Sequence, residues 1–233
     1  MTNLYLIPTT LSNKINNNAL LDYQLRQIKH LQHFIVETPK TARSHLKQLQ
    51  LNTPIQELCI DELNKHNNDV QGLIQPLLDG HDMGLLSDCG LPAIADPGAI
   101  IVKMAHLNNI NVLPLVGPSS LMLALMASGV SGQSFAFNGY MPIGSNEQKQ
   151  KILALQELIM RHKQSQIIIE TPFRNQQLLE NLINILHNDI TICIAINLMQ
   201  DNQLIISKSV IEWVCLSKLP NIHKQEVVFV VGI

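Results

Sequence analysis

Two segments of this sequence combine reactive side chains with permissive backbone. Residues 85–98 read LLSDCGLPAIADPG, an apolar run followed by two Asp, two Gly and two Pro within eleven residues. In an open α/β sheet, ligands bind beyond the carboxyl ends of strands, where a glycine-bearing loop lets backbone N–H groups approach closely. An ordinary strand-to-helix turn tolerates the same residues, but this loop is longer than such a connection needs. Residues 112–120 read VLPLVGPSS, again a strand, a Gly-Pro turn and serines at a helix start. Ser119 or Ser120 suits the helix N-cap, and the N–H groups of that first turn can also hold a carboxylate. Capping alone explains the serines equally well. The two loops lie in or beside residues 104–146, a run without any Asp, Glu, Lys or Arg. The overall 15% charged content would put about six charges there. A neutral cleft for a small molecule is the economical reading.

Other chemistries lack their residues. No GxGxxG follows a strand and no GxxxxGK[ST] occurs, so neither a dinucleotide fingerprint nor a P-loop is present. GxSxG and HExxH are absent as well. His30 and His33 straddle an expected helix end and suit a surface better than a metal. The four cysteines, Cys59, Cys89, Cys193 and Cys215, form no CxxC pair, so no zinc site or disulfide framework is expected and a reducing cytoplasm fits.

The elements that must position these loops follow from periodicity. Short apolar runs alternate with helical segments, the pattern of α/β architecture with a mainly parallel first sheet. Strands are expected at 4–8, 34–37, 55–60, 83–87 and 112–116, with helices at 19–31, 41–51, 69–78 and 98–107. Beyond Gly117-Pro118 the pattern gives helices at 119–127, 147–162, 175–186 and 210–216. Strands there are expected at 135–137, 166–170, 191–197, 204–207 and 227–231. Two α/β domains follow, 1–116 and 117–233, the second with a mixed sheet. The length of 233 residues allows a substantial core, and 46% hydrophobic content excludes disorder. A formal charge of −2 is far from a dedicated nucleic-acid binder. No apolar stretch is long enough to span a membrane, and the start MTNLYLIPTT lacks a signal-peptide pattern.

SDCGLPAIADPG, then VLPLVGPSS and Gly139-Tyr140-Met141-Pro142, together resemble the tetrapyrrole methylase superfamily. Within it the sequence is most similar to the ribosomal RNA small-subunit 2′-O-methyltransferase branch. Residues 8–13 (PTTLSN) stand where that branch has a TP-x-GN loop, and 37–43 (ETPKTAR) where it has an EDTR segment. His66-Asn67 matches a His-Asn pair, 170–174 (ETPFR) an E-S-P-x-R element, and 220–226 (PNIHKQE) a K-x-E element. Three departures bear on the acceptor. Ser12 replaces a glycine, Pro39-Lys40 interrupts the acidic segment, and the chain stops at Ile233 without the branch's small C-terminal extension.

The resemblance implies two α/β domains with S-adenosylmethionine held in the cleft between them, in a cytoplasmic homodimer without metal or membrane. It places the donor against Pro8, Asp88, Cys89, Gly90, Leu91, Ile94, Ala95 and Asp96, against Pro118, Ser119 and Ser120, and against Tyr140 and Asn197. Proton acceptors for a ribose hydroxyl would come from Glu37, Glu62, His66 and Asp96, each of which also suits a turn or a surface. Arg43, Lys65, Arg174 and Lys224 are the cations that would meet RNA phosphates. The implied activity is methyl transfer to small-subunit ribosomal RNA. The alternatives are a tetrapyrrole or other small-molecule acceptor, and a degenerate binder of the donor. The charge-free run then reads as the floor of the cofactor cleft, while the helix near Met122 and Met126 reads as core or dimer interface.

Overall fold

The computed structural model describes residues 2–12, 20–63 and 70–233. His66, Asn67 and Lys65 lie outside the described residues. The chain divides into two compact units, Met1–Ser119 and Ser120–Ile233. The division falls after Ser119 rather than after residue 116, and on either bound Leu115 belongs with the first sheet. Its N–H donates to the Leu6 carbonyl at 3.0 Å, and its side chain packs beside Tyr5 and Ile7.

In the first unit the strands are β1 (Asn3–Leu6), β2 (His33–Val36), β3 (Cys59–Glu62), β4 (Met83–Leu86) and β5 (Asn111–Pro114). The helices are α1 (Asp22–Ile28), α2 (Pro39–Gln48), α3 (Val70–Leu73), α4 (Gln75–Leu78) and α5 (Ala99–Leu107). The sheet order is β3-β2-β4-β1-β5, and every pairing is parallel. Parallel sheets need cover on both faces, and the period of two supplies it. Leu4, Ile35, Met83 and Leu85 pack with α3, α4 and α5 residues such as Leu73, Leu77 and Ile101. Tyr5, Phe34, Val36 and Leu86 face the other way, onto Ile28, Ala42 and Leu46 of α1 and α2.

Two expectations shift. The helix expected over 69–78 is broken into α3 and α4, because Pro76 has no N–H to continue the ladder and sits instead in the first turn of α4. The strand expected over 55–60 begins only at Cys59, since Pro54 leads into a tight 3₁₀ turn at Ile55–Glu57.

In the second unit α6 (Ser120–Ser128) precedes β6 (Phe135–Tyr140), α7 (Ser145–His162), β7 (Ser165–Ile169), α8 (Asn175–Ile185), β8 (Thr191–Ile196), β9 (Leu204–Ser209), α9 (Val210–Val214) and β10 (Val227–Gly232). Its sheet is mixed, in the order β6-β7-β10-β8-β9, with β6 parallel to β7 and the other pairs antiparallel. One face carries Ile168, Ile194 and Phe229 against α7, α8 and Trp213 of α9. The other carries Ile167, Cys193 and Val230 against Leu121, Ala124 and Leu125 of α6. The charge-free run is therefore core in part, while Met126 and Ile143 within it remain exposed. Among the described residues no helix is long and apolar enough to cross a membrane.

Gly84 sits at the centre of the first sheet, where a Cβ would lie 2.7 Å from Ile7 Cδ1 and from Phe34 Cδ1. Both neighbours are fully buried. Gly84→Val is expected to destabilise the fold by about 1–3 kcal/mol through overpacking, as read by urea denaturation followed by circular dichroism. An unchanged midpoint would show that the sheet relaxes around it.

Candidate functional site

The strand order creates one position where neighbouring strands send the chain in opposite directions. From β1 the chain travels toward β2 on one side, and from β4 toward β5 on the other. The carboxyl ends of β1 and β4, which are adjacent, therefore flank the switch point at which open α/β sheets bind ligands. Here the two loops are tied together. The Ile7 N–H donates to the Leu85 carbonyl at 2.9 Å and the Thr9 N–H to the Gly90 carbonyl at 2.9 Å. Pro8, Thr9, Thr10 and Ser12 are buried at this edge, and the Thr10 hydroxyl donates to the Ser12 carbonyl at 2.8 Å.

The 87–98 loop is held in an unusual conformation. Gly90, Ala93 and Ala95 have φ of 79°, 65° and 64°. The two alanines pay a steric cost of roughly 1–2 kcal/mol each for the left-handed region. Such strain persists only where surrounding contacts impose it. Asp96 imposes it: its Oδ1 accepts from the N–H of Ala93 at 3.0 Å and of Gly98 at 2.6 Å. Its Oδ2 is buried without a hydrogen-bond partner. Burial pushes the Asp96 carboxyl above its ordinary range, against the backbone N–H groups that pull it down. At Gly90 an added Cβ would meet Leu11 Cδ2 at 3.2 Å and the Pro118 carbonyl at 3.5 Å, so the third loop, 115–119, also converges there.

Acidic and polar groups complete the edge. Glu37 Oε2 accepts from the Asp88 N–H at 3.2 Å, and the Thr38 hydroxyl donates to Asp88 Oδ2 at 2.7 Å. His45, on α2, also faces Asp88. Burial lowers its imidazole below the usual histidine range, outweighing the hydrogen bond and charge of Asp88. Sequence reasoning passed over His45, since one histidine on an amphipathic helix carries no local signal. The first unit thus brings together Pro8, Glu37, Asp88, Cys89, Gly90, Leu91, Ile94, Ala95, Asp96, Pro118 and Ser119. Cys89 and Ile94 are exposed at the rim.

Ser120, Tyr140 and Asn197 belong to the second unit. Ser120 opens α6, Tyr140 ends β6 and is exposed, and Asn197 follows β8. Asn197 is buried with φ 48°, and its side chain clamps a neighbouring loop. It donates to Gln225 Oε1 at 2.6 Å and accepts from the Glu226 N–H at 3.1 Å. Arg174, expected to meet phosphate, is spent internally. Its Nη2 lies 2.8 Å from Glu170 Oε2 and donates to the Met141 and Pro142 carbonyls at 3.0 Å each. The Glu170 side chain is fully buried, so an ion pair satisfies a charge that would otherwise be stranded.

Histidines cluster at the opposite, amino-terminal edge of the first sheet. A cavity of about 320 Å³ is lined by His30, Gln32, His33, Gly80, His81 and Asp82. His30 pairs with Asp82 at 3.1 Å, and the His33 and His81 rings lie 5.1 Å apart. Among the described residues no group of three His, Cys, Asp or Glu is arranged to hold a metal ion. The Cys193 thiol, inside the second core, is pushed up to about 11 by burial and is no nucleophile.

A five-stranded parallel sheet with a glycine-bearing switch-point loop, followed by a mixed-sheet unit, defines a two-unit α/β chain. Solved structures agree on the fold: the methyltransferase CobJ aligns with a TM-score of 0.62 over 99% of this chain and 92% of that one, at 13% identity. Uroporphyrin-III-C-methyltransferase from Thermus thermophilus aligns at 0.57 over 100% and 94%, at 15% identity. No family model matches the chain. Ribosomal RNA small subunit methyltransferase I of Halalkalibacterium halodurans is 31% identical over 193 residues, 82% of this chain and 63% of that protein. The protein of the same name from Bacillus subtilis is 31% identical over 188 residues, 78% and 59%. That from Vibrio cholerae is 28% identical over 194 residues, 82% and 63%. The chain is thus similar along most of its length to proteins named ribosomal RNA small subunit methyltransferase I, and it shares its fold with the two solved methyltransferases. It spans less than two thirds of the length of these relatives.

Substitutions at two positions test the architecture of the edge. Asp96→Ala leaves the Ala93 and Gly98 N–H groups unpaired and is expected to cost about 1–3 kcal/mol in urea denaturation, whereas Asp96→Asn keeps an acceptor oxygen and recovers most of that loss. Equal effects of the two would show that Asp96 does not hold the loop. For His45 the folded-state value lies below the unfolded one, so the unfolded chain takes up the extra proton as pH falls. Stability is therefore complete above the ordinary histidine value of about 6.5 and declines below it. His45→Gln is expected to flatten the wild-type fall in stability between about pH 7 and pH 5, and identical slopes would remove His45 from that titration.

Proposed function

We propose that the protein transfers the methyl group of S-adenosylmethionine to a ribose 2′-hydroxyl of small-subunit ribosomal RNA. The carrying observation is the switch-point edge of the first unit, where Gly90, Ala93 and Ala95 take left-handed backbone, braced by Asp96 at Ala93 and Gly98, beside the buried Thr9 and Thr10. The methyltransferase relatives support the same reading. A cationic sulfonium nucleoside asks for carbonyls, hydroxyls and carboxylates. Segments 7–12, 87–98 and 115–119 offer these and contain no Lys or Arg. The residues present fit such a donor.

When bound, S-adenosylmethionine supplies a methyl group already activated on sulfur. The chain's part is then alignment and exclusion of water. The backbone of residues 90–95 and the β1 loop orient the nucleoside, and Pro8, Leu91 and Pro118 wall it from solvent. A ribose hydroxyl gives up its proton during transfer. Glu37 and His45 are the described groups beside Asp88 that can receive it, with His66 retained from the sequence resemblance. Asp96 is committed to the loop and is better read as a positioning residue. A cytoplasmic homodimer fits the exposed Met126 and Ile143 of the second unit.

The near-neutral charge favours a second reading, methylation of a tetrapyrrole or similar small molecule. Labelled methyl transfer separates the two when small-subunit particles, free ribosomal RNA and porphyrin precursors are offered in parallel. Label in the small-subunit RNA is expected. Label confined to the porphyrin lane would overturn the acceptor. No label anywhere, with S-adenosylhomocysteine still bound in calorimetry, would leave a donor-binding module and overturn the activity.

A further inference from the structure

At one edge of the second sheet a rigid aromatic group stands outside the core. Phe173 is 68% exposed and follows β7, next to the internally paired Arg174. The His223 ring lies edge-on to it, with centroids 6.1 Å apart and planes at 69°. Lys224 Nζ stands 5.9 Å from the ring centroid, the outer limit of a cation–π contact, so its flexible stem can still swing to an anion. His223 and Lys224 are themselves exposed.

A single exposed phenylalanine needs no explanation by itself. The backbone around this one does. The Lys224 N–H donates to the Pro172 carbonyl at 2.8 Å, and the Ile222 N–H to Gln176 Oε1 at 3.1 Å. Asn175 Nδ2, fully buried, donates to the Gln225 carbonyl at 2.7 Å, and Asn197 holds Gln225 and Glu226 as described above. Lys224 itself has φ 61°, a left-handed position kept by these contacts. From the other side Arg174 fastens the turn to Met141 and Pro142. Four polar side chains, Arg174, Asn175, Gln176 and Asn197, therefore fix a loop pair whose outward product is one aromatic face, one imidazole and one ammonium. Because that backbone is fixed in advance, a ligand meets the loop pair without the cost of ordering the chain.

We propose that Phe173, flanked by His223 and Lys224, is a stacking platform for an unpaired base of an RNA substrate, with Lys224 meeting the adjoining phosphate. Stacking on an exposed aromatic face, with a cation beside it for the backbone, is how single-stranded RNA is held when its bases are splayed from a helix. The inference rests on the RNA acceptor proposed above and specifies that the target must be unpaired where it meets this edge.

Fluorescence anisotropy with a short unstructured RNA, and with the duplex of the same sequence, tests the platform. The wild type is expected to prefer the single strand. Phe173→Ala should weaken single-strand binding about tenfold or more with little effect on the duplex, while Phe173→Trp retains it. Lys224→Ala should weaken both and reduce the salt dependence. A thermal midpoint unchanged in Phe173→Ala shows that the fold is intact. Single-strand binding by the wild type that Phe173→Ala leaves unaltered would overturn the platform and leave the acceptor reading standing. Equal loss of single-strand and duplex binding would also overturn it, since stacking requires an unpaired base. No RNA binding by the wild type would overturn the platform together with the RNA acceptor.

Discussion

The hydrogen bond from the Thr9 N–H to the Gly90 carbonyl joins the two loops on which the candidate site depends. It forms beyond the last rungs of the β1–β4 ladder, where the chain turns away from the two strands in opposite directions. The parallel order of the first sheet makes that divergence unavoidable, and the apolar cover on both faces makes the order stable. The strain at Ala93 and Ala95 is tolerable because the Asp96 carboxylate collects the N–H groups that the distorted loop would otherwise leave unpaired. Remove the tie between β1 and β4 and the two loops are no longer joined, although Asp96 still braces the 87–98 loop from within.

The second unit solves a similar problem with a different device. There the ends of β6 and β7 are bound by the buried Glu170–Arg174 pair and the Met141 and Pro142 carbonyls. The loop before β10 is bound by Asn175, Gln176 and Asn197. Polar side chains at this edge are largely spent on one another, so what they present outward is Phe173 with its two basic neighbours. A rigid polar frame with an apolar face is suited to selecting shape and stacking rather than net charge, which agrees with a chain of formal charge −2.

Much of this was legible in the sequence. The alternation of short apolar runs with helical segments indicated the α/β order, and the Gly, Pro and Asp content of 85–98 marked the switch-point loop. What stayed hidden depends on where a side chain points. Arg174 looked available for phosphate, yet its guanidinium turns inward to a carboxylate four residues earlier. Asp96 suited a turn and a ligand equally, and only the Ala93 and Gly98 contacts distinguish them. His45 acquires meaning from Asp88, which lies far along the chain on another element. The break between α3 and α4 was overlooked in the single helix expected over 69–78, although the missing N–H of Pro76 is a local property.

Hydrogen–deuterium exchange with and without S-adenosylhomocysteine tests the central claim most directly, because it reports on the backbone of the loops themselves. The account predicts slowed exchange in 8–12, 87–98 and 115–119, with the amino-terminal edge around His30 and Asp82 unchanged. Protection confined to that opposite edge, or none at a saturating concentration, would contradict it.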